Sequence, residues 1–183
     1  MAMALANPAQ ADILIFNDNF DTNNVGLNSV PTGWTVSDGT VDINGTGLDD
    51  FIPGSGNYID LDGTSYDAGV LSIILNLSAG TQYVAFFDLA GNQRNESPEN
   101  VTVYFVGNFN DYSLPRYEGW TQFSQSFTPL STGSYTLSFA NSGGDSVGML
   151  LDNVSVIAVP EPDTYTMILL GLGLIGLLVR QRG

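Results

Sequence analysis

Between residues 134 and 140 the chain reads SYTLSFA, with Tyr135, Leu137 and Phe139 alternating with Ser134, Thr136 and Ser138. A period of two belongs to a β-strand; the apolar face of a helix recurs every three to four residues. The sign repeats along the chain. VLSIILNL sets Leu71, Ile73, Leu75 and Leu77 on one side, and TQYVAFFDL, NVTVYFV, WTQFSQSF and VGMLLDNVSVI continue the series. DILIF, GWTV, TVDIN and YIDL precede it, and the turn-forming clusters SDGT, NGTG, PGSGN, SAGT, STGS and NSGGD cut between strands. Eight to ten short strands at this spacing predict an all-β antiparallel sandwich over 12–159. Apolar residues at 43% and aromatics at 11% supply a core for one domain, which separates the chain from disordered acidic sequences.

Two stretches break the rhythm. AGNQRNESPEN (Ala90 to Asn100) and GNFNDYSLPRYEGW (Gly107 to Trp120) read as long polar loops, the second rich in aromatics. Loops carried on a rigid sandwich are common binding sites.

The net charge of −15 narrows the partners. The only basic side chains are Arg94, Arg116, Arg180 and Arg182, so phosphate backbones are repelled and nucleic acid is excluded as a partner. Divalent cations and neutral polymers suit such a surface. The chain has no Cys and no His, which removes disulfides, thiolate chemistry, the usual zinc ligands and the commonest general base.

The two ends differ from the middle. YTMILLGLGLIGLLV, from Tyr165 to Val179, is a nearly unbroken apolar run. As a helix its length is roughly 22 Å. That approaches the roughly 30 Å hydrocarbon core, and Arg180 can snorkel to the interface. Glu161 and Asp163 precede the run and Arg180 and Arg182 follow it, an orientation that leaves the C-terminus in the cytoplasm and the sandwich outside. This ending, with Pro160, Glu161 and Pro162 before the run and Arg180 and Arg182 after it, resembles the PEP-CTERM sorting signal of exopolysaccharide-producing bacteria. The resemblance implies recognition by an exosortase, a membrane protease-transpeptidase, then delivery to the cell surface or extracellular matrix. At the other end, MAMALANPAQAD looks like the last part of a secretory signal peptide, with Ala9-Gln10-Ala11 as the small-x-small cleavage site. The expected organisation is a signal-peptide remnant at 1–11, the sandwich at 12–159, and a sorting tail at 160–183 with a transmembrane helix at 165–179.

The order FNDNFDTN, VPTGWTV, VDING, then FDLAGN and finally LLDNVSV resembles galactose-binding-like jelly rolls. That group includes carbohydrate-binding modules and the "choice-of-anchor" surface proteins joined to PEP-CTERM tails. It implies neighbouring first and last strands, with a carboxylate from each meeting at a structural calcium. Residue by residue this falls on Asp21 and Asp152, and FNDNFDTN adds Asn17 as an oxygen donor. Calcium takes six to eight oxygens, which carboxylates, amides and carbonyls supply. The other reading of these residues is solvated or turn-forming carboxylates. DLDG, at Asp60 to Gly63, reads as a turn.

A sugar site needs a flat aromatic beside hydrogen-bonding groups. Tyr112, Arg116, Tyr117 and Asp111 in the second long stretch meet that need, with Tyr58 and Tyr66 as another set; Trp34 and Trp120 read as buried strand starts. A glycosidase needs two carboxylates placed across a sugar, and no spacing here pairs them. The expectation is therefore an exported, non-catalytic surface protein that binds polysaccharide. A structural or adhesive matrix component is the second reading and a hydrolase the third.

Overall fold

The computed structural model describes residues 11–94 and 97–160. The expected helix at 165–179, residues 1–10, and Glu161, Pro162, Arg180 and Arg182 lie outside the described residues. The strands are β1 (Ile13–Asp18), β2 (Thr35–Ser37), β3 (Asp42–Asn44), β4 (Tyr58–Asp60), β5 (Val70–Leu77) and β6 (Gln82–Ala90). They continue as β7 (Asn100–Phe105), β8 (Asn108–Ser113), β9 (Thr121–Phe127), β10 (Gly133–Asn141) and β11 (Leu150–Val159). No helix occurs among the described residues.

Two sheets form. The first runs β3-β4-β11-β6-β9 with β1 added against β11; the second runs β2-β5-β10-β7-β8. Every strand pair is antiparallel. The expected all-β sandwich is therefore present. The alternation read in SYTLSFA places Leu137 and Phe139 in the core, fully buried, while Ser138 and Ala140 look outward. Leu71, Leu75 and Leu77 of β5, Tyr83, Ala85, Phe87 and Leu89 of β6, and Val154 and Val156 of β11 close the same core from both sides. Trp34 plugs one end. Its ring meets Phe16 edge-on at 5.6 Å and Phe20 at 5.7 Å, and its Nε1 donates to Asp18 Oδ2 at 2.8 Å.

The last strand organises the first sheet. Leu150 and Leu151 pair with β4, and Val154 to Ala158 pair with β1 along the same edge. Between the two partners the register slips, from Asp152 to Ser155, and Asn153 takes φ 50°. A bulge bends a strand at the cost of one unpaired residue, and Asn tolerates the left-handed region better than most side chains. The bulge follows Asp152 directly.

One stretch departs from its expected form. Gly107 to Trp120 is not a continuous loop, because it contains β8 (Asn108–Ser113), paired residue for residue with β7. Val106 and Gly107 have φ values of 48° and 86°, and Phe105 pairs with Asn108 around them. Two consecutive left-handed residues make the tight hairpin turn whose twist matches that of the strands.

Candidate functional site

The register of the second sheet fixes which side chains look away from the core. Ala140 pairs with Val70 on one side and Thr102 on the other, and Thr102 pairs with Asp111. One step along, Ser138 lies between Ser72 and Tyr104, and Tyr104 pairs with Phe109. Side chains directly opposite in a ladder share a face, so these two rows and Thr136 form one outer surface. They enclose a groove of about 460 Å³ lined by Val70, Thr102, Tyr104, Phe109, Thr136, Ser138 and Ala140. Its floor is short: hydroxyls and one methyl from β10. Its wall is aromatic, with the Tyr104 and Phe109 rings 4.7 Å apart and Phe109 69% exposed. None of the lining residues carries a charge. Asp111 stands at the rim, its Oδ1 accepting a hydrogen bond from Thr102 Oγ1 at 2.6 Å.

The outer face of the first sheet is built differently. The segment between β3 and β4 folds over it, so that Phe51 and Ile52 cover Tyr58, Ala90 and Leu150, with Trp120 beside them. Trp120 Nε1 donates to Ser55 Oγ at 2.9 Å, and the Arg94 guanidinium lies over the Phe51 ring at 4.5 Å. Beneath this cover sit carboxylates. Asp60 is 1% exposed and pairs with Arg94 Nη2 at 2.7 Å. Burial raises its pKa to about 7 even though the guanidinium pulls the other way.

Asp152 is 3% exposed, and burial raises its pKa to about 7. The Asn153 backbone N–H, donating to Oδ1 at 2.7 Å, opposes that rise; the charges of Asp21, Asp88 and Asp18 add to it. Asp88 is its ladder partner and accepts Asn153 Nδ2 at 3.0 Å. Asp21, in the turn after β1, accepts Asn19 Nδ2 at 2.7 Å and the Asn57 N–H at 2.8 Å. On the same outer face, Asn44 is 1% exposed and its Oδ1 has no hydrogen-bond partner among the described residues. An orphaned amide oxygen and carboxylates lacking a basic partner are donors that suit a hard cation. Among the described residues no three carboxylates converge closely enough to hold an ion alone. Amide and carbonyl oxygens would have to complete such a set.

The expected site residues therefore separate. Asp21 and Asp152 come close enough for one charge to act on the other. Asn17 pairs with Ser155 in the β1–β11 ladder and is exposed. Asp111 reaches the groove rim. Tyr112, expected as an exposed contact, turns inward instead: its ring meets Phe87 at 5.4 Å and Phe123 at 4.8 Å. The reason is the alternation of β8, which sends Phe109 and Asp111 out and the residue after them in. Arg116 and Tyr117 remain in the β8–β9 connection, stacked on each other at 5.1 Å, with Tyr117 59% exposed. Tyr58 is fully buried and its hydroxyl takes the Phe51 and Ile52 N–H groups, whereas Tyr66 is 74% exposed. Trp34 is buried, as expected, whereas Trp120 is only half-buried. Tyr104, Asn44 and Asp88 were not singled out by sequence, and Phe109 was read only as one aromatic of a long loop; the outward alternation of β7, continued across the turn into β8, was the signal for Tyr104 and Phe109.

The architecture is that of a jelly-roll sandwich shared with carbohydrate-binding modules and adhesin domains. The CBM22-1 xylan-binding domain of Xyn10C from Paenibacillus barcinonensis is 15% identical, with 84% of this chain and 99% of that one covered at a TM-score of 0.52. The K3 cleaved adhesin domain of Lys-gingipain from Porphyromonas gingivalis is 16% identical, covering 80% of this chain and 99% of that one, TM-score 0.55. Its K1 counterpart is 15% identical, covering 77% and 96%, TM-score 0.51. At such identities the likeness establishes the fold. Residues 158–182 match the PEP-CTERM protein-sorting motif. The chain is thus an exported protein that carries a sorting signal for the cell surface. No curated protein matches it in sequence.

Proposed function

We propose that this protein is a non-catalytic surface protein that holds a neutral polysaccharide in the groove on the outer face of the second sheet. One observation carries the reading: an open, uncharged groove that joins an aromatic wall to a floor of hydroxyls. Sugar rings stack their C–H faces on aromatics, and their hydroxyls exchange hydrogen bonds with Ser and Thr. A chain of charge −15 would repel acidic polymers, so a neutral one fits. The xylan-binding of the Paenibacillus domain is a property of that protein, and it supports this reading only by showing a sandwich of this kind put to such use.

In this reading the segment at 165–179 holds the chain in the membrane until an exosortase-type protease removes the tail. Calcium braces the bulge of β11 through Asp152 and Asp21, with Asn44, Asn17 and neighbouring carbonyls as further oxygen donors. The uncovered edge of β8 favours a second reading, an adhesive matrix component that pairs strands between copies.

The test is affinity electrophoresis of the full chain in mild detergent through gels containing xylan, a β-glucan or alginate. Retardation by a neutral polymer, absent in the Tyr104→Ala/Phe109→Ala variant, is the expected result. Equal mobility in every gel overturns the polysaccharide reading, and concentration-dependent self-association would then support the adhesive one.

A further inference from the structure

At one end of the sandwich the β4–β5, β6–β7 and β10–β11 connections meet around a carboxylate that belongs to neither site described above. Asp62 is fully buried. Its Oδ2 accepts the Gly144 and Asp145 backbone N–H groups at 2.7 and 3.2 Å. Its Oδ1 is buried with no hydrogen-bond partner among the described residues. Asn141, 8% exposed, is in a similar position: its Oδ1 accepts the Met149 N–H at 3.3 Å, while its Nδ2 has no partner among the described residues. Both side chains press on Gly143, where an added Cβ would collide with Asp62 Oδ2 and Asn141 Nδ2.

Further negative charge gathers here. Glu99 is half-buried, and its pKa is raised first by burial and then by the carboxylates of Asp145 and Asp62, while the Arg94 charge and the Asn141 amide oppose the rise. The nearby guanidinium is committed elsewhere. Arg94 pairs with Asp60 and donates to the carbonyls of Ser146 and Gly148 at 3.2 and 3.1 Å. A buried carboxylate oxygen without a donor is costly, and native structures rarely leave one so. Three carboxylates gather here while the neighbouring guanidinium is engaged, so a cation would satisfy both the orphaned oxygen and the excess charge.

We propose that Asp62 Oδ1 and Glu99, joined by Asp145 from the exposed turn, bind a calcium ion that locks the three connections together. Calcium suits the place because it accepts irregular sets of carboxylate, carbonyl and water oxygens, where magnesium requires a near-ideal octahedron. Asp145 Oδ1 accepts the Val147 N–H at 3.1 Å, a bond that it exchanges for the ion. The three carboxylates do not clasp an ion as they stand. Asp145 must swing inward, and waters complete the shell. Asn141 Nδ2 then has a role as an outer-sphere donor that orients the Glu99 carboxylate, as second-shell groups commonly do for metal ligands. This site is independent of the polysaccharide groove and of the calcium brace at Asp152.

Calcium titration of the full chain in detergent, followed by calorimetry and by Tm, tests the proposal with the ion as the only probe. Performing it in the Asp152→Asn background removes the other candidate ion. That variant should still bind calcium, with a Kd of about 0.1–1 mM, the range of extracellular modules. Adding Glu99→Gln, a half-exposed position that the fold tolerates, should weaken binding at least tenfold and cancel the rise in Tm. Asp62→Asn should do the same. Calcium binding unchanged by Glu99→Gln, or no binding by the Asp152→Asn protein at 10 mM calcium (about ten times the weak end of that range), would overturn it.

Discussion

The two sheets alternate by the same rule, yet their outer faces have opposite fates. Outside the first sheet the segment between β3 and β4 covers Tyr58, Ala90 and Leu150, and carboxylates of that face are buried: Asp60 at 1% exposure and Asp152 at 3%. Outside the second sheet nothing among the described residues folds over β10 and β7, so Ser138, Thr136, Tyr104 and Phe109 line an open groove. The difference teaches where to look for each kind of chemistry. Buried charge on a covered face contributes to the architecture. Neutral, hydroxyl-rich surface on an uncovered face is available to a partner.

The comparison breaks most visibly at Arg94. This side chain neutralises Asp60 and ties down the β10–β11 connection through two carbonyls. At pH 8, above the Asp60 pKa of about 7, removing one member of this buried pair leaves an uncompensated charge or forces proton uptake, and breaking such a pair costs about 3–5 kcal/mol. Arg94→Met should lose that much stability in urea unfolding, and a loss within 0.5 kcal/mol, the ordinary scale of a surface change, would show that the pair is not structural.

The next largest effect is pH-linked. The folded-state pKa of Asp152 is raised from 3.8 to about 7, so the native state holds its proton more tightly than the unfolded chain does. Stability without metal should therefore fall as pH rises from about 4 to about 7, by an amount on the order of 1–3 kcal/mol, and stay low above that. Asp60 acts in the same direction. Asp152→Asn should flatten the Tm-against-pH curve in EDTA without levelling it, and should raise Tm at pH 8. A curve identical to that of the parent would contradict the assignment.

On the open face the effects move from stability to binding. Tyr104→Ala/Phe109→Ala should weaken retention by a neutral polysaccharide at least tenfold, since stacked aromatics dominate such contacts. Its unfolding free energy should change by no more than about 1 kcal/mol, as expected of outward positions. Smallest of all, Tyr117→Ala should change retention by less than twofold, because that ring stacks on Arg116 in the β8–β9 connection, outside the groove lining.

Much of this fold is written in the chain's alternation. SYTLSFA and VLSIILNL became β10 and β5 with the expected residues inside, because each buries a face whose pattern allows only one register. β8 is illegible in the sequence for a physical reason. NFNDYS lies on a sheet edge and carries asparagines at both inward positions near the turn, so no apolar alternation marks it. Its turn is disguised as well, with Val106 in a left-handed conformation that Asn or Gly normally signals. The buried carboxylates were illegible for another reason. Asp60 and Arg94 are distant in sequence, and DLDG reads locally as a turn; only the closure of three connections over Asp62 makes its carboxylate a buried one. The groove was the least legible feature, since Ser, Thr and Ala facing outward look like ordinary solvent-exposed strand residues.

The central claim is that the uncovered face of the second sheet holds a neutral polysaccharide. Isothermal titration of the full chain in detergent with soluble xylan and with a soluble β-glucan, parent against Ser138→Arg, tests it most directly. Ser138 lies on the groove floor between Ser72 and Tyr104. An arginine there fills the groove while leaving the core untouched. Heat of binding is expected for at least one polymer with the parent chain, and none with Ser138→Arg at unchanged Tm. Binding that survives the arginine, or no binding to either polymer, would contradict it.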